Sequence, residues 1–154
     1  MEHANMSNIS ILLVDDEMLI RKSFTRELRA EGFTVTAVAN GREAIDEIEK
    51  EKYDLVITDL NMPVVDGFGV LKAVKQRAPQ TCVFILTGAG DIRAAIDALR
   101  LGADEFVLKP CDIAELVFRI RRCLKKNSRS GAGRAESTPG GRKKPAAAGR
   151  SGTT

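Results

Sequence analysis

The sequence predicts an α/β domain, a doubly wound five-stranded parallel sheet of order 2-1-3-4-5 with five helices on its two faces. Short apolar runs, mostly without an exposed face, recur at residues 9–14, 34–39, 55–58, 82–86 and 105–108. Such runs suit parallel strands covered on both sides. The stretches between them carry apolar residues at helical spacing. Four of the five runs end in a side chain capable of chemistry: Asp15-Asp16, Asp59, Thr87 and Lys109. With right-handed crossovers, the C-terminal strand ends share one rim, and the switch point falls between strands one and three. Asp15 and Asp16 are thereby predicted beside Asp59.

Residues 9–14 are too short for a helix and suit a central strand. After Glu17 a helix carries Ile20, Phe24 and Leu28 at spacing four, with Gly32 as its C-cap. Strand two, 34–39, leads to Asn40, which can cap the next helix, with Glu43 completing a capping box. Ala44, Ile45 and Ile48 form the inner stripe of that helix. Strand three, 55–58, ends at Asp59, and the loop through Pro63 leads to a helix marked by Leu71 and Val74 and stopped by Pro79. After strand four, 82–86, a helix starts near Asp91, buries Ile92, Ala95, Ile96 and Leu99, and ends at Gly102. After strand five, 105–108, Asp112 and Glu115 form a second capping box. Ile113, Leu116, Val117, Ile120 and Leu124 form the core stripe of the last helix, and Phe118 falls outside it, toward solvent or a partner.

The chain of 154 residues suits one domain at 9–126, between a loose N-terminus at 1–8 and a tail at 127–154. The tail lacks large apolar residues and is expected to be disordered, with no output domain. It carries six basic residues against Glu136 alone, so the overall charge of +3 hides a mildly acidic domain. The basic tail has no aromatic interleaving, so nucleic acid is expected to bind no more than weakly, by charge. No apolar run is long enough to span a bilayer, and residues 1–8 do not read as a secretory signal. Cys82, Cys111 and Cys123 lack metal-ligand spacing and read as reduced packing residues of a cytoplasmic protein. The single histidine, His3, lies outside the domain, which excludes a histidine-centred site within it.

Clustered carboxylates in a partly desolvated pocket repel one another, and a divalent cation is the simplest resolution. All-oxygen donors favour magnesium, with manganese as a substitute. The cation would neutralise Asp16 and Asp59, with Asp15 assisting through water. Asp59 then reads as a nucleophile that accepts a phosphoryl group, Lys109 as a point charge for its oxygens and Thr87 as a hydroxyl donor. Singly, each has a structural alternative. Asp15-Asp16 could cap a helix, Asp59 could be a turn residue, and Lys109 could be solvated; their joint order favours the chemical reading.

These residues resemble the receiver domain of two-component response regulators, a flavodoxin-like (βα)5 fold. The resemblance covers about residues 9–126 and rests on the acidic pair, on Asp59-Leu60-Asn61-Met62-Pro63-Val64-Val65-Asp66-Gly67, and on Thr87, Phe106 and Lys109-Pro110. It implies Asp59 as phosphoacceptor, the Asn61 backbone carbonyl as a further metal ligand, Thr87 and Phe106 as switch residues, and a cis peptide at Lys109-Pro110. It implies a histidine kinase or phosphotransfer protein as donor, and control of a downstream protein through the helix 4, strand 5 and helix 5 surface. The runs 87–92 and 101–106 look most like receivers of nitrogen and nodulation regulators. Ala89 brings no group to position an attacking water, so loss of the phosphoryl group is expected to be slow. Two other classes compete. An aspartyl-phosphate hydrolase of the haloacid-dehalogenase type needs an aspartate where Asn61 stands, and a flavodoxin-like FMN carrier would meet repulsion from Asp15-Asp16-Glu17.

Overall fold

The computed structural model describes residues 9–88 and 92–137, with side-chain surroundings as far as residue 126. The strands are β1 (Ser10–Val14), β2 (Thr34–Val38), β3 (Leu55–Asp59), β4 (Cys82–Thr87) and β5 (Glu105–Leu108). The helices are α1 (Met18–Ala30), α2 (Gly41–Lys50), α3 (Gly67–Arg77), α4 (Ile92–Arg100) and α5 (Ile113–Ser137). All strand pairs are parallel and the order is β2-β1-β3-β4-β5, as the alternation of elements predicts.

Pleating divides the core into two layers. Ile11, Leu13, Ile57, Phe84 and Leu86 meet Leu28 of α1 and Leu116, Val117 and Ile120 of α5 on one face. Leu12, Val14, Val56, Val83 and Ile85 meet Ala44 of α2, Val70, Leu71 and Val74 of α3 and Ala98 of α4 on the other. Every residue of β3 is buried, which explains why this strand reads as an unbroken apolar run up to its aspartate.

Local chemistry ends the elements where the sequence says. Asn40 Oδ1 accepts from the Glu43 amide at 2.9 Å, and Glu43 Oε1 accepts from the Ala39 amide at 3.0 Å. Gly32 takes φ +103 just past α1, a conformation that favours glycine. Three expectations need correction. Asp112 accepts from the Ala114 amide at 3.3 Å, but Glu115 does not close a box with it; its carboxylate takes Arg119 Nε at 3.0 Å. In α4 the apolar stripe faces outward: Ile92 is 74% exposed, with Ile96 and Leu99 also exposed, and Ala98 is the buried residue. Last, α5 continues past the expected boundary at 126 to Ser137. The expectations for residues 1–8, Ala89, Asp91 and the tail beyond 137 lie outside the described residues.

Tyr53, the only tyrosine, is buried and donates its hydroxyl to Glu47 Oε1 at 2.7 Å. Burial, together with the Glu47 carboxylate, pushes its phenol up to about 12. A raised folded-state pKa gives stability that is complete below the unfolded value near 10.0 and is lost as the pH rises through about 12. Tyrosinate absorbance should therefore rise with a midpoint near 12 in the folded protein; a midpoint near 10.0 would contradict the buried hydrogen bond.

Candidate functional site

Register sets the rim. Val14 lies level with Thr58, Asp59 with Leu86, and Thr87 with Leu108. The side chains at or just beyond these strand ends therefore converge. Asp15 and Asp59 are buried and Asp16 is exposed, and one carboxylate oxygen from each lies within 4.8 Å of the others. Lys109 Nζ reaches both buried carboxylates, at 3.2 Å from Asp15 Oδ2 and 3.4 Å from Asp59 Oδ2. Its own amide donates to the Thr87 carbonyl at 2.7 Å, and the Lys109-Pro110 peptide is cis. Asp15 Oδ1 accepts from the Glu17 amide at 2.9 Å, which holds the carboxylate at the start of α1.

The segment after Asp59 folds back on the strand end. The Asn61 amide donates to Asp59 Oδ1 at 3.4 Å, and Asn61 Nδ2 donates to Thr87 Oγ1 at 3.4 Å. The Val65 amide closes a three-residue turn on the Pro63 carbonyl at 2.8 Å, with Val64 at φ 68 between them. That conformation costs a β-branched residue about 1–3 kcal/mol. Asp66 caps α3 through the Gly69 amide at 3.1 Å, and the Gly67 amide donates to the Leu60 carbonyl at 2.9 Å. These bonds tie the loop to both the strand it leaves and the helix it enters.

The charges follow from burial. Burial raises the Asp59 carboxyl above the ordinary value, and Asp15 adds to the rise, against the lowering pull of Lys109 and the Asn61 amide. For Lys109, burial alone would lower the pKa, but the Asp15 and Asp59 carboxylates outweigh it and leave the ammonium above its usual value. One cation thus serves two carboxylates, and Asp16 adds a third. The cluster is short of positive charge, and its donors are all oxygens. That chemistry fits a hard divalent cation at Asp15, Asp16 and Asp59. Asn61, whose carbonyl is the further ligand that the resemblance implies, lies in the adjoining turn.

Phe106 stands apart from this cluster. It is half-buried on β5, level with Ile85, and so on the same face of the sheet as Thr87 one pleat further on. It packs against the layer under α4 and lines a groove of about 480 Å³ with Ile92, Cys111 and Arg119. Phe118 of α5 is exposed, with the Arg122 guanidinium 5.3 Å from its ring centre. Arg119 and Arg122 both bond Glu105 of β5, at 3.2 and 3.1 Å. Two contacts at the rim escaped sequence reasoning, Asn61 to Thr87 and the sharing of Lys109 between Asp15 and Asp59, because both depend on register.

The family model described as the response regulator receiver domain matches residues 11–121. Among curated proteins, the probable transcriptional regulator ycf27 of Guillardia theta is 37% identical over 120 residues, covering 78% of this chain and 47% of the relative. The DNA-binding transcriptional regulator NtrC of Escherichia coli (strain K12) is 36% identical over 114 residues, covering 74% of this chain and 24% of the relative. The chain thus spans half or less of the length of these relatives. Among solved structures, the chemotaxis protein CheY4 of Vibrio cholerae superposes with a TM-score of 0.71 at 31% identity, covering 75% of this chain and 98% of that one.

Proposed function

Because the chain belongs to the response regulator receiver domain family of two-component systems, we propose that Asp59 accepts a phosphoryl group from a histidine kinase or phosphotransfer protein. The observation that supports this reading is the convergence of Asp15, Asp16, Asp59 and Lys109 on one rim of a parallel sheet. Asp59 supplies the attacking oxygen. A bond to phosphorus forms as the bond to the donor's nitrogen breaks, and the electron pair leaves with the donor. Asp15, Asp16, Asp59 and the Asn61 carbonyl would hold magnesium, or manganese in its place. When bound, the ion supplies positive charge against the carboxylates and the phosphoryl oxygens. Lys109, already between Asp15 and Asp59, stays as a second positive charge beside the product.

Phosphorylation replaces a charge of −1 by one nearer −2 and adds acceptor oxygens. Thr87 would turn its hydroxyl toward them and give up its present contact with Asn61 Nδ2. Phe106, on the same face of the sheet, would follow inward, and the surface of α4, β5 and α5 would change. A downstream protein that binds the changed surface would shift the population further. The protein acts as a signalling receiver in the cytoplasm. It catalyses its own phosphoryl transfer and slow dephosphorylation only, with its apolar α4 face as the contact surface.

Incubation with acetyl phosphate and magnesium tests the proposal, read by intact mass. The expected result is a gain of one phosphoryl group, absent in Asp59→Ala and absent with EDTA. A gain that survives in Asp59→Ala would move the acceptor elsewhere. No gain under any condition would return Asp59 to a structural role.

A further inference from the structure

At the far end of the sheet from the acidic rim, two sulfurs meet. Cys82 opens β4, four residues before Leu86, which lies level with Asp59. At about 3.3 Å per residue this puts Cys82 roughly 13 Å from the rim along the strand. Cys82 is buried, and Cys123 of α5 is half-buried against the same core layer. Their Sγ atoms are 3.1 Å apart, across 41 residues of sequence. The phosphoryl chemistry uses neither. Asp104 lies beside the pair but is committed elsewhere: Oδ2 accepts from the Val83 amide at 2.8 Å and faces Lys75 Nζ at 3.5 Å. With an amide and an ammonium already on that carboxylate, the cluster is poor as a cation site. What it offers is a thiol pair.

We propose that Cys82 and Cys123 are a redox pair that closes to an intramolecular disulfide when the protein meets a peroxide. Bond formation needs the sulfurs to approach from 3.1 Å to about 2.05 Å, a shift of about 1 Å. Cys123 is the more accessible and reacts first. Its thiolate attacks a peroxide oxygen, the O–O bond breaks, and the departing hydroxide takes up a proton to leave as water; Cys123 becomes a sulfenic acid. Cys82 stays protonated until then, held by the Cys123 contact and by burial, both of which raise its pKa. The Cys82 sulfur then attacks the sulfenic sulfur, the S–O bond breaks, and water leaves with the Cys82 proton. Two thiols and one hydrogen peroxide give one disulfide and two waters, with two electrons passing from sulfur to oxygen. The bond ties β4 to α5, the helix whose Arg119 and Arg122 hold β5. A thiol-based reductant reverses it.

The test is to treat the full chain with stoichiometric hydrogen peroxide, block thiols under denaturing conditions, and map peptides by mass. One linked Cys82–Cys123 peptide is expected, in a monomer, with Cys111 still open to alkylation and the link reversed by dithiothreitol. The thermal midpoint of the oxidised protein should rise by about 10 °C, since the bond closes a long loop of the unfolded chain. Cys111→Ser should behave as wild type, and Cys123→Ser should form no link. The proposal is overturned if Cys123 stops at sulfinic acid beside a reduced Cys82, or if the link forms between chains. Zinc that co-elutes with the reduced protein and is lost in Cys123→Ser would make the sulfurs metal ligands instead.

Discussion

Lys109→Met should destabilise the domain by about 3 kcal/mol in magnesium-free buffer, and magnesium should restore most of that loss. The substitution keeps a long apolar stem and removes the only ammonium that, among the described residues, pairs with Asp15 and Asp59. Two buried carboxylates would then face each other with no counter-charge. The elevated pKa of Lys109 points the same way: its contribution is complete below the ordinary lysine value and is lost as the pH rises through the higher folded value. Asp59→Asn should have the opposite sign, because it removes a carboxyl whose pKa burial and Asp15 already raise. Urea unfolding of both variants, with and without magnesium, reads the effect. Equal losses for Lys109→Met in the two buffers would mean that the loss does not come from uncompensated carboxylate charge.

Gly67→Ala is the second large effect, about 3 kcal/mol with loss of acetyl phosphate labelling. A Cβ at Gly67 would lie 2.6 Å from the Asp59 carbonyl oxygen and 2.7 Å from Leu60 Cα. Both are backbone atoms and neither can swing aside, so α3 or the end of β3 must move, and Asp59 with it. Gly69→Ala is the control. Its tightest neighbour is the Val65 side chain at 2.9 Å, which can adjust, so it should cost much less. Thermal unfolding and labelling of the two variants side by side would distinguish a displaced phosphoacceptor from a generally crowded loop.

Strand positions were legible to about a residue because runs covered on both faces carry one signal, unbroken apolarity, and because Asp59, Thr87 and Lys109 punctuate their ends. The rim residues were legible because topology alone places strand ends together. The bonds among them were not. Whether Lys109 meets one carboxylate or two depends on the register of β3, β4 and β5, which no local pattern encodes. Ile92, Ile96 and Leu99 were misread for a different reason: a stripe of apolar residues at helical spacing looks the same whether it faces the sheet or a partner. The extension of α5 past 126 was missed because residues 127–137 offer no large apolar stripe and include Gly131 and Gly133, which disfavour a helix. The meeting of Cys82 and Cys123 was not legible, because 41 residues separate them.

The outward face of α4 decides which side has the larger say in where that helix sits. The domain holds it by alanines, Ala98 fully and Ala94 in part, worth on the order of 1 kcal/mol each by the area they bury. Ile92, Ile96 and Leu99 still have much of their surface to lose, each worth about 1–2 kcal/mol when covered. A protein that covered those three would add to the helix's placement an amount comparable with what its own sheet supplies. In such a complex the position of α4 would be a property of the pair as much as of the domain. Affinity for a partner and the conformation of this helix then become a single quantity, measured twice.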